Sequence, residues 1–378
     1  MSPRVRRLVT VNAGSTSLKV TLFDGEAVVS RSGDLDEVLR GWPGTDGQPP
    51  DAVVHRVVHG GDRTRAAMLD DAVVAELDAL TELAPLHQPP ALAAVRRTRS
   101  TWPDVPQVAC FDTAFHATIP AAATYALPER LRALVRVYGF HGLSHAWASG
   151  VVRRRVPGAR RVLVAHLGGG SSLCAVLDGA SVDTTMGFTP LAGLVMATRS
   201  GSLDPGAVVW LAAHTGEDLA RVLEQESGLL GLCGTSDMRE VLARRAAGDP
   251  AAGLAFDVFV HRLVSSVGSM VAALGGLEVL VFTGGVGEHA AAVRAAVADR
   301  LGWLGVELAG SGEAPAEDGN GNGRSTGAGG ETDAGPDAGA DAREISAPGA
   351  GVRTFVVAAR EDCRLAVEAR ALLGAQPG

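Results

Sequence analysis

One short phrase occurs twice in the chain. Residues 8–18 read LVTVNAGSTSL, and residues 163–173 read LVAHLGGGSSL. In each copy an apolar strand breaks at glycine and serine, and an apolar run returns, KVTLF after the first and CAVL after the second. A strand that turns back through small residues presents backbone N–H groups and hydroxyls at its tip, a shape suited to an anion. Two copies about half a chain apart predict two similar lobes facing one phosphate-bearing ligand.

With 378 residues the chain has room for two domains. Its composition, 46% hydrophobic and 20% charged, is that of a globular protein with a sizeable core. A net charge of -8 argues against nucleic acid or an anionic membrane as a partner. The N-terminal run MSPRVRRLVTVNAG is broken by Asn12 and Gly14 and reads as a strand, not a signal peptide. No stretch approaches the roughly 18 apolar residues of a membrane span. Cys110, Cys174, Cys233 and Cys363 are scattered without a CxxC, which predicts reduced core thiols in a cytoplasmic protein.

Residues 5–29 read as a β-hairpin and residues 53–61 as a strand ending in a glycine turn. Residues 69–84 and 88–99 have helical spacing. Residues 105–116 form a buried strand that delivers Asp112 and Thr113 at its end, and 142–156 form a helix and hinge. The second lobe opens with a strand at 162–167. Glycine-rich loops follow at 183–206 and 227–240, with a helix at 206–215 between them. Residues 250–275 form a long helix, 277–301 a strand, glycine turn and helix, and 354–373 a strand, acidic turn and closing helix. Residues 310–350 are almost all Gly, Ala, Asp, Glu, Asn and Ser, and are expected to form a disordered surface loop.

Three glycine turns carry anion-binding chemistry. The first, Asn12 to Lys19, offers an amide, the hydroxyls of Ser15, Thr16 and Ser17, and a lysine. The second runs from His166 through Gly168, Gly169 and Gly170 to Ser172, and allows close backbone approach to phosphate. The third, Gly284-Gly285-Val286-Gly287-Glu288, follows a strand and opens a helix. None is a GxGxxG fingerprint or a Walker loop. Arg56 sits inside an apolar strand and Arg199 in a glycine-rich loop. Each either faces an anion or forms a buried Arg–Asp pair. Asp112 holds metal, orients an arginine, acts on substrate or caps a helix. His141, in GFHG, stabilises developing negative charge or is a core histidine. Asp237 and Arg239 touch a nucleotide or cap a helix. Glu361 ligates Mg²⁺ or is a solvated carboxylate at a helix start. Together these groups are what phosphoryl transfer needs, because its transition state spreads charge over the phosphoryl oxygens.

The stretches VNAGSTSLK, HRVVHGG, APLHQPP, FDTAFH, YGFHGLSH, HLGGGSS, DTTMGFTPLAGL, TRSGSLDPG, SGLLG, SDMRE and FTGGVGE run in order over nearly the whole chain outside 310–350. This pattern closely resembles the acetate kinases and their propionate kinase relatives. The resemblance implies an α/β fold of two duplicated actin-like (ribonuclease H-like) lobes with a cleft between them, usually as a homodimer. Residues 1–147 would form the N-terminal lobe with part of the acyl site. Residues 148–362 would form the nucleotide-binding lobe, and the closing helix 363–378 would return to the first.

By position, the resemblance implies a first phosphate loop of Asn12, Ser15, Ser17 and Lys19. It implies arginine clamps at Arg56 and Arg199, a catalytic Asp112 and a transition-state stabiliser His141. Val58, Leu86, Phe140 and Pro190, beside Arg56, would hold the acyl group. The nucleotide would meet Lys19, His166, Gly168, Gly169, Gly170, Asp237, Met238, Arg239, Gly285, Val286 and Gly287. Asn12 and Glu361 would hold Mg²⁺ or Mn²⁺, with ATP as co-substrate. The implied reaction is reversible phosphorylation of a short-chain carboxylate, acetate first, with propionate or butyrate as variants. A weakly active or non-catalytic nucleotide-binding homologue and an actin-like ATPase or filament protein are the alternatives. The chain departs from the family pattern at Gly169, which replaces an asparagine, at Ala192 and Ser202, and around Ala359-Arg360-Glu361-Asp362.

Overall fold

The computed structural model describes residues 5–13, 18–41, 48–309 and 341–374. Two six-stranded sheets organise it. The first contains β1 (Arg7–Ala13), β2 (Leu18–Asp24), β3 (Ala27–Ser32), β4 (Ala52–Val57), β5 (Ala67–Met68) and β6 (Gln107–Phe111). The second contains β7 (Arg161–Leu167), β8 (Ser171–Leu177), β9 (Ala180–Thr184), β10 (Val279–Thr283), β11 (Ala342–Glu344) and β12 (Arg353–Val357).

Their orders are β3-β2-β1-β4-β6-β5 and β9-β8-β7-β10-β12-β11. Adding six to each strand number turns one into the other. The pairing senses agree as well. β1–β2 and β7–β8 are antiparallel, as are β5–β6 and β11–β12, while β1–β4–β6 and β7–β10–β12 are parallel. Even the register shifts correspond, at Leu22/Phe23 in the first sheet and Ala175/Val176 in the second. The doubled phrase is thus the β1–β2 and β7–β8 hairpins of a duplicated α/β fold.

Inner parallel strands are covered on both faces, so they read as continuous apolar runs. Every residue of β6 and β10 is buried. Helices Gly142–Arg155 and Glu361–Gly374 pack against strands of the first sheet and against each other, and the former also reaches the second sheet. Leu143, Val151, Val162, Val281, Val54, Val108 and Leu365 join one core there. Helix Pro250–Leu274 starts at the Asp249 cap and ends at Gly275, whose φ of 67° suits glycine. By length and composition this helix could cross a membrane, contrary to the expectation that no segment comes near that limit. Its Phe256, Phe259, Val260, Leu263 and Val267 recur every three or four residues and pack into the core of the second sheet.

The structure adds elements that the sequence pattern did not announce. The first hairpin continues into edge strand β3, and loop 227–240 contains helix Gly228–Cys233. The expectation of disorder over 310–350 is corrected at its end. Residues 310–340 lie outside the described residues, but β11 pairs with the edge of β12 and buried Asp341 binds Arg360 Nη1 at 3.1 Å. Backbone pairing and an ion pair supply order there, and Ala342 and Ile345 pack against the two main cores. Ser15, Ser17 and their turn lie outside the described residues.

Candidate functional site

Parallel pairing of β4 with β6 sets Arg56 beside Cys110, so the chain leaving β6 brings Asp112 onto the guanidinium. Arg56 Nη2 lies 2.6 Å from Asp112 Oδ2, and Nε lies 3.1 and 3.2 Å from the two carboxylate oxygens. Arg56 Nη1 donates to Asn12 Oδ1 at 3.1 Å and lies 3.3 Å from Glu361 Oε2. Asn12 Nδ2 closes the ring by donating to Glu361 Oε2 at 2.6 Å. Four groups from β1, β4, the end of β6 and the start of the closing helix therefore meet at one point. The Arg56, Asp112 and Glu361 side chains are only 13%, 1% and 14% exposed.

Burial opposes the Arg56 charge, but Asp112 and Glu361 outweigh it and hold the guanidinium charged. Burial pushes the Asp112 carboxyl up against the pull of Arg56. For Glu361 the balance is reversed. Burial is overcome by Arg56, His166, Asn12 and Lys19, and its carboxyl lies below the usual range.

His141 faces this cluster because of the backbone around it. The Gly142 N–H donates to Asp112 O at 2.9 Å, and a Cβ at 142 would come within 2.1 Å of that oxygen. His141 itself takes a left-handed φ of 58°, which non-glycine residues adopt rarely. Its backbone N–H also acts on the Asp112 carboxylate. The imidazole sits 4.4 Å from the His166 ring, centroid to centroid. A Cβ on Gly170 would lie 3.2 Å from His141 Nε2 and 3.6 Å from Arg199 Nη1, so these three meet. Arg199 Nη1 donates to Pro190 O at 2.8 Å. Burial, then His166, Arg56, His145 and Arg199, hold His141 well below the ordinary imidazole value, so the ring is neutral at pH 7. His87 is held down to about 4 by burial and by the charges of Arg199 and Arg56.

The second and third glycine turns touch. The Gly285 amide lies 3.9 Å from where a Gly168 Cβ would be, and Gly284 packs on Leu167 O, with a φ of 78° that only glycine adopts freely. The segment Gly284–His289 is itself helical, so Gly285, Val286 and Gly287 lie on its turns. Glu288 Oε1 accepts the Ala359 N–H at 3.0 Å, tying this helix to the segment before Glu361. Lys19 stands opposite Asn12 in the β1–β2 hairpin, and His166 opposite Ser172 in the β7–β8 hairpin.

Val58 and Phe140 share a buried cluster with Ala84, Met186 and Met196. Leu86 is 38% exposed, two residues beyond Ala84, and Pro190 is tied to Arg199. Asp237 caps helix Met238–Ala246 and pairs with the exposed Arg239, while Met238 is buried. Among the described residues no side-chain hydrogen bond or ion pair joins this group to the glycine turns.

Reasoning from sequence missed Met186, Met196, Ser144 and His145, and took Ser172 only as the end of the second glycine turn. The last three lie in GLSH and GGGSS, and their signal was hydroxyls and imidazoles at helical and strand spacing beside the chosen residues. Among the described residues no group of three or more His, Cys, Asp or Glu forms a metal cage. Glu361 and the Asn12 amide are hard oxygen donors. They fit an Mg²⁺ ion that takes its other ligands from phosphate and water.

The family model described as the Acetokinase family matches residues 45–322. The acetate kinase of Micrococcus luteus is 44% identical over a 338-residue alignment that covers 80% of this chain and 87% of that protein. The acetate kinase of Streptomyces coelicolor is 41% identical over 347 residues, covering 89% and 80%. The crystal structure of Entamoeba histolytica acetate kinase superposes with a TM-score of 0.83 at 28% identity, covering 97% of this chain and 99% of the other. A propionate kinase from Francisella tularensis gives a TM-score of 0.79 at 31% identity, covering 96% and 98%.

Proposed function

The chain belongs to the acetokinase family, and on that premise we propose that it transfers the γ-phosphoryl group of ATP to acetate, reversibly, giving acetyl phosphate and ADP. The observation that carries this reading is the convergence of Arg56, Asp112, Asn12 and Glu361 beside the corner where His141, Gly170 and Arg199 meet.

A carboxylate is ionised at pH 7 and attacks phosphorus in line without a strong general base. Asp112, already gripped by Arg56, positions that guanidinium and abstracts no proton. Arg56 and Arg199 stabilise charge on the acid and on the moving phosphoryl group, and a neutral His141 adds a hydrogen bond. Mg²⁺ held by Glu361 and Asn12 would neutralise charge on the nucleotide phosphates. Val58, Phe140, Leu86 and Pro190 border the acyl group, and Met186 and Met196 back the first two. Such an apolar wall selects chain length weakly, at about 1–3 kcal/mol per methylene. Lys19, His166, the turn Gly168–Gly170, Asp237–Arg239 and Gly285–Gly287 meet the nucleotide.

The first lobe is residues 1–147, the second 148–362, and the closing helix returns to the first. Its contacts with β1, β4 and β6 support that division. Four free, buried cysteines support a reducing, cytoplasmic setting. The functional unit is a homodimer. Helix Pro205–His214 supports this, since it has no buried residue and leaves Val209 71% and Trp210 57% exposed.

The test is a hydroxamate assay for acyl phosphate with ATP, Mg²⁺ and the two-, three- and four-carbon acids. The reading expects the highest kcat/KM with acetate. No product with any acid would leave only a nucleotide binder, and a propionate optimum would move the substrate up by one methylene.

A further inference from the structure

Helix Gly142–Arg155 presents Ser144 and His145 on the face that follows His141, and the β7–β8 hairpin presents His166 and Ser172 against them. Ser172 Oγ lies 2.8 Å from His145 Nε2 and 3.0 Å from His141 Nδ1. Ser172 and His145 are fully buried. His145 Nδ1 is buried too and has no hydrogen-bond partner among the described residues. The cleft mechanism uses neither residue.

A serine hydroxyl carries one proton, and a neutral imidazole carries one on either nitrogen. Burial and neighbouring imidazoles keep both rings neutral. The two rings then have four combinations of tautomers. If neither ring turned its proton to Ser172, a ring lone pair would face a serine lone pair and the His145 proton would sit on the orphaned Nδ1. If both rings donated to Ser172, its hydroxyl proton would have no acceptor among the described residues. If His141 Nδ1–H donated to Ser172 and Ser172 donated to His145 Nε2, the His145 proton would sit on the orphaned Nδ1. Orphaned buried N–H groups are rarer than under-satisfied acceptors. That arrangement would also turn a bare lone pair of His141 Nε2 toward Gly170, where the proposed function places the phosphoryl group. The remaining arrangement leaves only an unprotonated lone pair unpartnered. His145 Nε2–H donates to Ser172, Ser172 donates to His141 Nδ1, and the His141 proton lies on Nε2.

We propose that His145 and Ser172 are positioning residues whose directed hydrogen-bond chain fixes His141 as its Nε2–H tautomer, with the donor aimed into the cleft. This rests on reading His141 as a cleft donor. A catalytic imidazole in the wrong tautomer loses most of its effect even when its geometry is intact.

The experiment is a two-bond ¹H–¹⁵N correlation on the full chain labelled with ¹⁵N-histidine, with His141 assigned from the signal lost in His141→Gln. Wild type is expected to show His141 Nδ1 unprotonated and Nε2 protonated. Ser172→Ala is expected to shift that ring toward the other tautomer and lower kcat by about 10-fold or more, with KM values unchanged. Ser172→Thr, which keeps the hydroxyl, restores both. His145→Phe, which keeps ring volume but removes both nitrogens, shifts the tautomer independently if Ser172→Ala fails to fold. A wild-type His141 protonated on Nδ1, or a Ser172→Ala protein with unchanged tautomer and kcat, overturns the proposal. Full activity in His141→Gln would instead sink the reading of His141 as a cleft donor, and the tautomer measurement would still stand.

Discussion

Arg56 and Asp112 grip each other through three contacts of 2.6 to 3.2 Å, although 56 positions separate them in the chain. The grip follows from sheet topology, since β4 and β6 are parallel neighbours and Asp112 stands just beyond the end of β6. Besides the clamp role proposed for it, Arg56 is the counter-ion of two largely buried carboxylates, Asp112 and Glu361. Arg199 has one side-chain hydrogen bond among the described residues, to a carbonyl.

The two arginines therefore separate catalysis from stability. Arg199→Ala is expected to lower kcat on the order of 10³-fold with little change in Tm. Arg56→Ala should lose turnover and also about 3–5 kcal/mol of stability, because it strands two buried carboxylates. Acyl-phosphate kinetics and thermal melts of both variants check this. Near-wild-type turnover in Arg199→Ala would end the mechanism, and an unchanged Tm in Arg56→Ala would mean that the pair does not support the fold.

Acid should destabilise the protein well above the range in which carboxylates titrate. Burial holds His55, His59 and His116 down to about 4, against 6.5 for a free imidazole. Below 6.5 the unfolded chain takes up protons that the folded rings refuse. Stability is then full above 6.5, falls as pH drops through that value, and levels off below about 4. The slope is up to about 1.4 kcal/mol per pH unit for each ring. Urea melts across this window check the slope, and a flat profile would show that the rings are not held neutral.

The duplicated fold was legible because β1–β2 and β7–β8 repeat as words in the sequence, and inner strands such as β10 are apolar without a break. Arg56 and Asp112 were legible one by one, as charges inside and at the end of apolar strands, and Glu361 as a carboxylate after a strand at a helix start. Their union with Asn12 was not, because it depends on strand order and on a helix that returns from the far end of the chain. The link between Ser172 and His145 was invisible for a related reason. A serine in a glycine-rich turn and a histidine in a helix carry no chemistry until the turn and the helix are packed together. The order at Asp341–Glu344 was hidden because it comes from pairing with the distant strand β12, from Arg360 and from the seat of Ala342 in a core built elsewhere in the chain.

Gly169 tests the weaker of the two phosphate turns. A Cβ there would meet nothing within 4 Å. Gly169→Asn is therefore expected to fold with an unchanged Tm and to offer the nucleotide one more hydrogen bond. Such a bond adds about 0.5–1.5 kcal/mol, which lowers KM for ATP by about 2- to 10-fold. Steady-state kinetics at saturating acetate measure it. An unchanged or higher KM would mean that the nucleotide phosphates do not approach this turn.

The association state turns on helix Pro205–His214. Its sequence PGAVVWLAAH is strongly apolar, yet none of its residues is buried, and Trp210 stacks on His214 with ring centroids 4.3 Å apart. A surface of that kind is expected to be covered by a second copy of the chain. Light scattering should then give twice the 38.7 kDa chain mass for the wild type. Trp210→Glu sets a charge in the middle of the face and should give the single-chain mass, with far-UV circular dichroism unchanged because the side chain is 57% exposed and its ring partner, His214, lies on the same exposed helix. A wild type that runs as a monomer would remove the homodimer from this reading and leave the exposed helix to another partner.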